Sequence, residues 1–245
     1  MKCSILPLAL AAFYAFTRLV VNGTLSSEFQ YIRDVRGNAG DDNLWQKSFP
    51  LYGPEDPRQA CNRQSFPVLN KNIQTAIYDA GTSGAFYIST KVDPSDVEDP
   101  YIFHEGPGQV FLSKLPDGLN SLSEYDGSGD FFKIAYHGPK NSTTWSLYEE
   151  RAINFTIPRT TPPGLYLMRV EHFLPSALFN QSQWFVSCAH VEILGLGGGQ
   201  PTGFVRFPNA YKADDPSVWF HEEGTSRFPK DIRVYVEPKP STWTG

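Results

Sequence analysis

Histidines are the side chains of this sequence best suited to hold a metal or move a proton near neutral pH. Of the five present, one stands in a setting that singles it out. The stretch DPYIFHEGPGQVFLSKL, Asp99 to Leu115, delivers His104 onto a Gly-Pro-Gly bend, and a β-patterned run follows at once. Glycine permits positive φ and proline locks φ near about −65°, so the bend is held by its own backbone. A histidine at the root of a strand, on such a loop, is expected to be rigid and to face solvent. No histidine precedes it in the chain. His137, His172, His190 and His221 stand singly in strands or turns and read as packed or surface residues rather than ligands.

Other chemistry is missing from the sequence. The Gly195–Gly199 run fails the dinucleotide spacing, because Gln200 stands where the last glycine should be and no helix follows; it reads as a loop. There is no G-x-S-x-G elbow, no H-E-x-x-H and no paired C-x-x-C. Glu149, Glu150, Glu222 and Glu223 read as solvated charges, since a glycosidase pair is defined by a separation that sequence does not give.

The elements that must position His104 are strands. Arg18 to Asn22 reads as a first strand, turned by Asn22-Gly23. Thr24 to Pro67 has no sustained period and reads as a long structured loop carrying Cys61. Gly84 to Val92 alternates, with Phe86, Ile88, Thr90 and Val92 on one face, and Gln109 to Leu115 follows the bend. Asp130–Tyr136 and Thr144–Tyr148 are expected as short strands flanking His137-Gly138-Pro139. Arg151–Pro158 turns Ile153, Phe155 and Ile157 inward and leaves Asn154 and Thr156 outside. Leu165–Phe173 and Trp184–Leu194 are longer runs, and Val218–Phe220 and Ile232–Val236 weaker ones. Short strands at short spacing, with no helical stripe beyond two turns, predict an all-β, immunoglobulin- or fibronectin-III-like β-sandwich with long loops.

Composition agrees. A chain of 245 residues with twenty glycines, twenty prolines and 14% aromatics suits a turn-rich β protein. A net charge of −5 gives no electrostatic footprint for nucleic acid or an anionic membrane. Lys2, the apolar run Cys3–Ala12 and the small residues Ala9, Ala11, Ala12 and Ala15 read as a secretory leader, cut after residue 12 or as late as 15. Thr17 and Arg18 interrupt the run too early for a membrane span. Sequons at Asn22, Asn141, Asn154 and Asn180 agree with secretion. With Cys3 removed, Cys61 and Cys188 remain. Outside the cell they most simply form one disulfide, the alternative being two buried thiols.

In order along the chain stand HEGPGQVFLSKLPD, DFFKIAYHG, TTPPGLYLMRVE, QSQWFVSCAHVEI and FPNAYKADDP. Together these blocks resemble the auxiliary activity family 9 lytic polysaccharide monooxygenases of fungi, from about Phe16 to the C-terminus. The resemblance implies a β-sandwich domain over 13–245, monomeric, with a flat face for cellulose or related β-glucans. It also implies a Cys61–Cys188 disulfide, and one copper that activates oxygen or peroxide to oxidise C1 or C4 of the glycosidic linkage.

In that family copper sits in a histidine brace: the N-terminal amine and imidazole of the first mature residue, plus a second imidazole. His104 matches the second. Phe13 falls at the first, ten residues before Gly23, and could offer copper only its amine. The axial tyrosine falls at Phe185, an outer-sphere histidine at Ser176, and Gln183 matches the glutamine that bonds that histidine. Tyr211 matches a region that can present aromatic residues to the glucan; simple packing is the equal alternative. Two functions are therefore in view: a non-oxidising or repurposed glucan-binding wall protein, and a copper monooxygenase cleaving cellulose. The missing imidazole favours the former.

Overall fold

Asn22 and Gly23 take left-handed backbone conformations, φ 50° and 76°, and close a two-residue hairpin between β1 (Phe16–Val21) and β2 (Thr24–Leu25). The computed structural model to which these values belong describes residues 13–39, 43–89, 101–175, 178–225 and 227–245. The leader with Lys2 and Cys3, the Thr90–Val92 end of the alternating run, and Ser176 lie outside the described residues.

Two sheets face each other. One runs β2-β1-β5-β8, with β5 (Ser83–Ile88) and β8 (Ala152–Thr156). The other runs β3-β10-β9-β6-β7, with β3 (Leu51–Tyr52), β6 (Gly108–Lys114), β7 (Phe132–His137), β9 (Gly164–Leu174) and β10 (Gln183–Leu194). β4 (Ala76–Asp79) adds to the far end of β10 as its parallel neighbour. All the other pairings are antiparallel.

The smaller sheet shows the alternation that one wet face imposes: Ile153 and Phe155 are buried, Asn154 and Thr156 exposed. The larger sheet is buried on both faces. Val110, Met168, Val170 and Val191 point into the intersheet core with Phe16, Leu19 and Phe86. Phe111, Leu167, Phe173, Trp184 and Val186 pack outward under the Cys61 loop and the Phe207–Val218 segment. Near-continuous burial of β6, β9 and β10 follows.

Several expectations are corrected. Thr144–Tyr148 forms no strand; it makes one bridge, Trp145 to Pro139, because Trp145 is buried against Phe228 and Tyr235. Val218–Phe220 is a turn, and the Ile232 region is a single 3₁₀ turn at Ile232–Val234. The long loop carries one helical turn, α1 (Leu44–Lys47), capped by the Asn43 side chain on Gln46 N–H. The glycines of the HEGPG bend are not there for positive φ, which neither Gly106 nor Gly108 adopts. They permit close approach: a Cβ on Gly106 would lie 1.9 Å from the Phe173 carbonyl, and one on Gly108 2.3 Å from Leu147 Cδ1.

The outward face of the larger sheet also buries polar side chains, most of them hydrogen-bonded. Arg33 donates from Nε to His190 Nε2 (2.9 Å) and from Nη2 to the carbonyls of Leu122 and Tyr125. His190 must stay neutral to accept. Burial first, and the Arg33 charge second, push its pKa down from 6.5 to about 3. The unfolded chain therefore takes up this proton first as pH falls, so stability drops below pH 6.5 and levels off near pH 3. Roughly 2 kcal/mol should be lost by pH 5. In urea titrations between pH 7 and 4, His190→Gln, which keeps an acceptor for Arg33, should flatten that acid limb by about this amount. An unchanged limb would place the titration elsewhere.

Candidate functional site

The bend and the two longest strands meet at one end of the intersheet core. Gly108 of β6 pairs with His172 of β9, and His172 in turn pairs with Phe185 of β10. Gln183 lies two residues before Phe185, on the same face, opposite Leu174. The chain ahead of β1 closes the group. Tyr14 is buried, stacks on Phe185 with ring centres 4.2 Å apart, and shares a 2.6 Å hydrogen bond between its hydroxyl and His172 Nδ1.

His104 stacks on the same Phe185, at 5.1 Å with the rings 22° from parallel. Phe103 meets its imidazole edge-on at 5.8 Å, and half-buried Tyr101 and Tyr148 adjoin Phe103. His104 is thus half-buried between a core ring and a surface ring, not freely exposed as its loop position suggested.

Desolvation dominates the electrostatics. It lowers the His104 pKa to about 4. It lowers His172 to about 3, with the nearby His104 charge acting in the same direction and the Gly106 carbonyl opposing. Both imidazoles are neutral at physiological pH. His104 Nε2, His172 Nε2 and Gln183 Oε1 are buried without a side-chain hydrogen-bond partner among the described residues, while the Gly106 backbone lies within hydrogen-bonding reach of the His172 ring. A buried imidazole nitrogen left so is a donor available to a metal.

The other residues singled out by sequence are dispersed. The Phe13 ring turns toward α1, 5.4 Å from Trp45 and 4.4 Å from Phe49. Tyr211 is buried in the outward core: its ring stacks on Trp184 at 5.4 Å and its hydroxyl donates to Glu171 Oε1 at 2.7 Å. The ring cannot face a polymer from there, so packing is its role. Cys61 and Cys188 are joined. Asn22, Asn141, Asn154 and Asn180 are all exposed. His137 Nε2 lies 2.7 Å from the Asn154 carbonyl, and His221 stacks on Trp219. Sequence reasoning passed over Tyr14 and read His172 as a packed or surface residue; it is packed, fully buried in β9. A histidine in the otherwise apolar inward set of β9 was the available signal.

Tested against a three-nitrogen brace, these residues do not fit. Phe13 brings no imidazole, and Phe185 brings no hydroxyl. Among the described residues, no group of three or more His, Cys, Asp or Glu side chains gathers to hold a metal. The donors at hand are two neutral imidazoles. No helix among the described residues is long and apolar enough to cross a membrane.

Comparison with known proteins places this arrangement. The sequence profile described as Auxiliary Activity family 9 (formerly GH61) matches residues 13–228. The chain is 39% identical over 241 residues to AA9 family lytic polysaccharide monooxygenase U of Thermothielavioides terrestris, covering 93% of this chain and 90% of that one. Among solved structures, CvAA9A superposes with a TM-score of 0.71 at 25% identity, over 94% of this chain and 97% of that one. A cellulose-active polysaccharide monooxygenase from M. thermophila shares the fold, with a TM-score of 0.66 at 20% identity over 95% and 99%.

Proposed function

The chain belongs to auxiliary activity family 9, and on that premise we propose that it is a secreted, monomeric, single-domain protein over residues 13–245. It binds cellulose or a related β-glucan and does not carry out the family's oxidative cleavage. The observation that carries this reading is Phe13, whose ring packs with Trp45 and Phe49 where the brace calls for a metal-binding imidazole. Phe185 agrees: in place of an axial hydroxyl it presents a ring that Tyr14 and His104 cover. The ligand set that oxidative cleavage requires is therefore incomplete.

Glucan binding draws on Phe103, Tyr101 and Tyr148, half-buried aromatics grouped beside His104, whose faces suit the apolar faces of sugar rings. The solved relative titled cellulose-active supports the choice of polymer. The exposed sequons would carry glycans, and the disulfide suits an oxidising compartment. The alternative, a copper monooxygenase acting at C1 or C4, is favoured by one observation, that His104 Nε2 and Gln183 Oε1 are buried without a hydrogen-bond partner among the described residues.

The experiment is a cellulose pull-down of the secreted, N-terminally sequenced protein, with analysis of soluble products after adding copper, reductant and peroxide. We expect retention, about tenfold weaker for Phe103→Ala, and no oxidised oligosaccharides. Oxidised products from a chain beginning at Phe13 would establish the monooxygenase instead. Absence of retention on any β-glucan would remove the binding reading.

A further inference from the structure

At the other end of β6 from His104 lies a cavity of about 430 Å³ that the glucan reading does not use. β6 runs from Gly108, paired with His172, to Lys114 on the cavity, about 20 Å away along the strand. The walls are mostly rings: Phe132, Tyr166 and Phe204 line it together with Pro116, Pro162 and Pro201. Phe132 stands edge-on to Tyr166, with ring centres 6.3 Å apart, and to Phe204 at 6.1 Å. Phe131 and Val205 exchange backbone hydrogen bonds of 2.8 and 2.9 Å, which lays Phe204 and Arg206 along the start of β7. Even so, Phe204 is left 52% exposed. The polar groups on the cavity are mostly committed. The Tyr166 hydroxyl donates to the Pro162 carbonyl at 2.7 Å, and Arg206 Nε donates to Asp130 Oδ1 at 2.6 Å. Lys114 differs: its amine, exposed at the same mouth, has no ion pair or hydrogen bond with another described residue.

We propose that this cavity binds an aromatic carboxylate, with the ligand's ring among Phe132, Tyr166 and Phe204 and its carboxylate on Lys114 Nζ.

Three features of the site argue for this class of ligand. The cavity has the size and the make-up of a small-molecule site, apolar walls with few polar groups at the mouth. Its rings already stand edge-on to one another, and a further flat ring extends that packing where an alkyl chain does not. The charges select the sign: Arg206 and Asp130 balance each other, which leaves Lys114 as the one uncommitted charge on the lining. A sugar is a poor match, because its many hydroxyls find few free partners among prolines and phenyl rings. The inference goes beyond the glucan reading and does not depend on it.

The test is calorimetric titration of the full secreted protein with cinnamate. One cinnamate per chain is expected, with a Kd at or below about 1 mM. Lys114→Gln should weaken it about tenfold, and the neutral cinnamamide should bind the unaltered protein about tenfold more weakly than cinnamate. Phe204→Ala should cost about fivefold, and hexanoate, which has the charge without the ring, should bind several-fold more weakly. Both substituted positions are exposed, and circular dichroism checks that each variant is folded. The two ligand comparisons need no variant at all. Absence of saturable binding up to about 10 mM would overturn the proposal. So would equal binding of cinnamamide or hexanoate, or an unchanged affinity in Lys114→Gln. Retention on cellulose should be the same with and without cinnamate; competition between them would put the ligand on the glucan face and overturn the assignment to this cavity.

Discussion

Glu171→Leu should destabilise the protein by about 3–5 kcal/mol, the cost of stranding a buried charge. Glu171 and Arg169 pair on the outward face of β9 with both side chains fully shielded from solvent. Glu171 also accepts from Gln109 Nε2 at 2.6 Å and from the Tyr211 hydroxyl at 2.7 Å. Gln109 in turn accepts from Lys133 at 2.7 Å, so one substitution leaves Arg169 without its carboxylate and takes an acceptor from both Gln109 and Tyr211. The Arg169 guanidinium has further support, lying 3.5 Å from the Phe207 ring centre and donating to the Gln59 and Ala60 carbonyls. The double variant Arg169→Met/Glu171→Leu should therefore recover much of the loss, because exchanging both charges for apolar groups removes the stranded ion. Urea unfolding of the two single variants and the double one measures this. If Glu171→Leu cost under about 1 kcal/mol, water rather than protein would be solvating the pair.

The Cys61–Cys188 disulfide has an effect of similar size. It joins residues 127 apart, and closing so long a loop in the unfolded chain is worth at most about 5 kcal/mol, with about 2–5 usual on removal. Cys61→Ser/Cys188→Ser should lower stability within that range. The Cys61 loop is also held by Arg169 through Gln59 and Ala60, the residues just before the cysteine. The cysteine and Arg169 variants share this loop, so their effects should not add, and a double-mutant cycle should show coupling of about 0.5–3 kcal/mol. Simple additivity would mean that the arginine does not help to seat the loop in the native state.

These two features show which levels of structure were readable beforehand. Cysteine arithmetic, with the expectation of secretion, pointed to the disulfide. Charge type pointed the wrong way for Arg169, Glu171 and Lys133, since such residues usually stand in water. They are buried here because loops cover a sheet face that a simple sandwich would leave wet, and loop cover is not a periodic signal. β4 was missed for a related reason: four residues, Ala76 to Asp79, are too few to show a period, and their pairing partner lies in β10, far along the chain. Tyr211 lay between two readings until the Glu171 acceptor and the Trp184 ring fixed its direction.

Residue order alone was enough for the strands around β5, β8, β9 and β10, the Asn22-Gly23 turn and the family. Those properties rest on local alternation, on glycine and proline stereochemistry and on residue identity, all of which act over a few positions. The folded chain was needed to set His172 beside His104, with Phe185 and Tyr14 as walls. That meeting depends on the register of β9 against β6 and β10, and register is chosen by how whole faces pack rather than by any one segment.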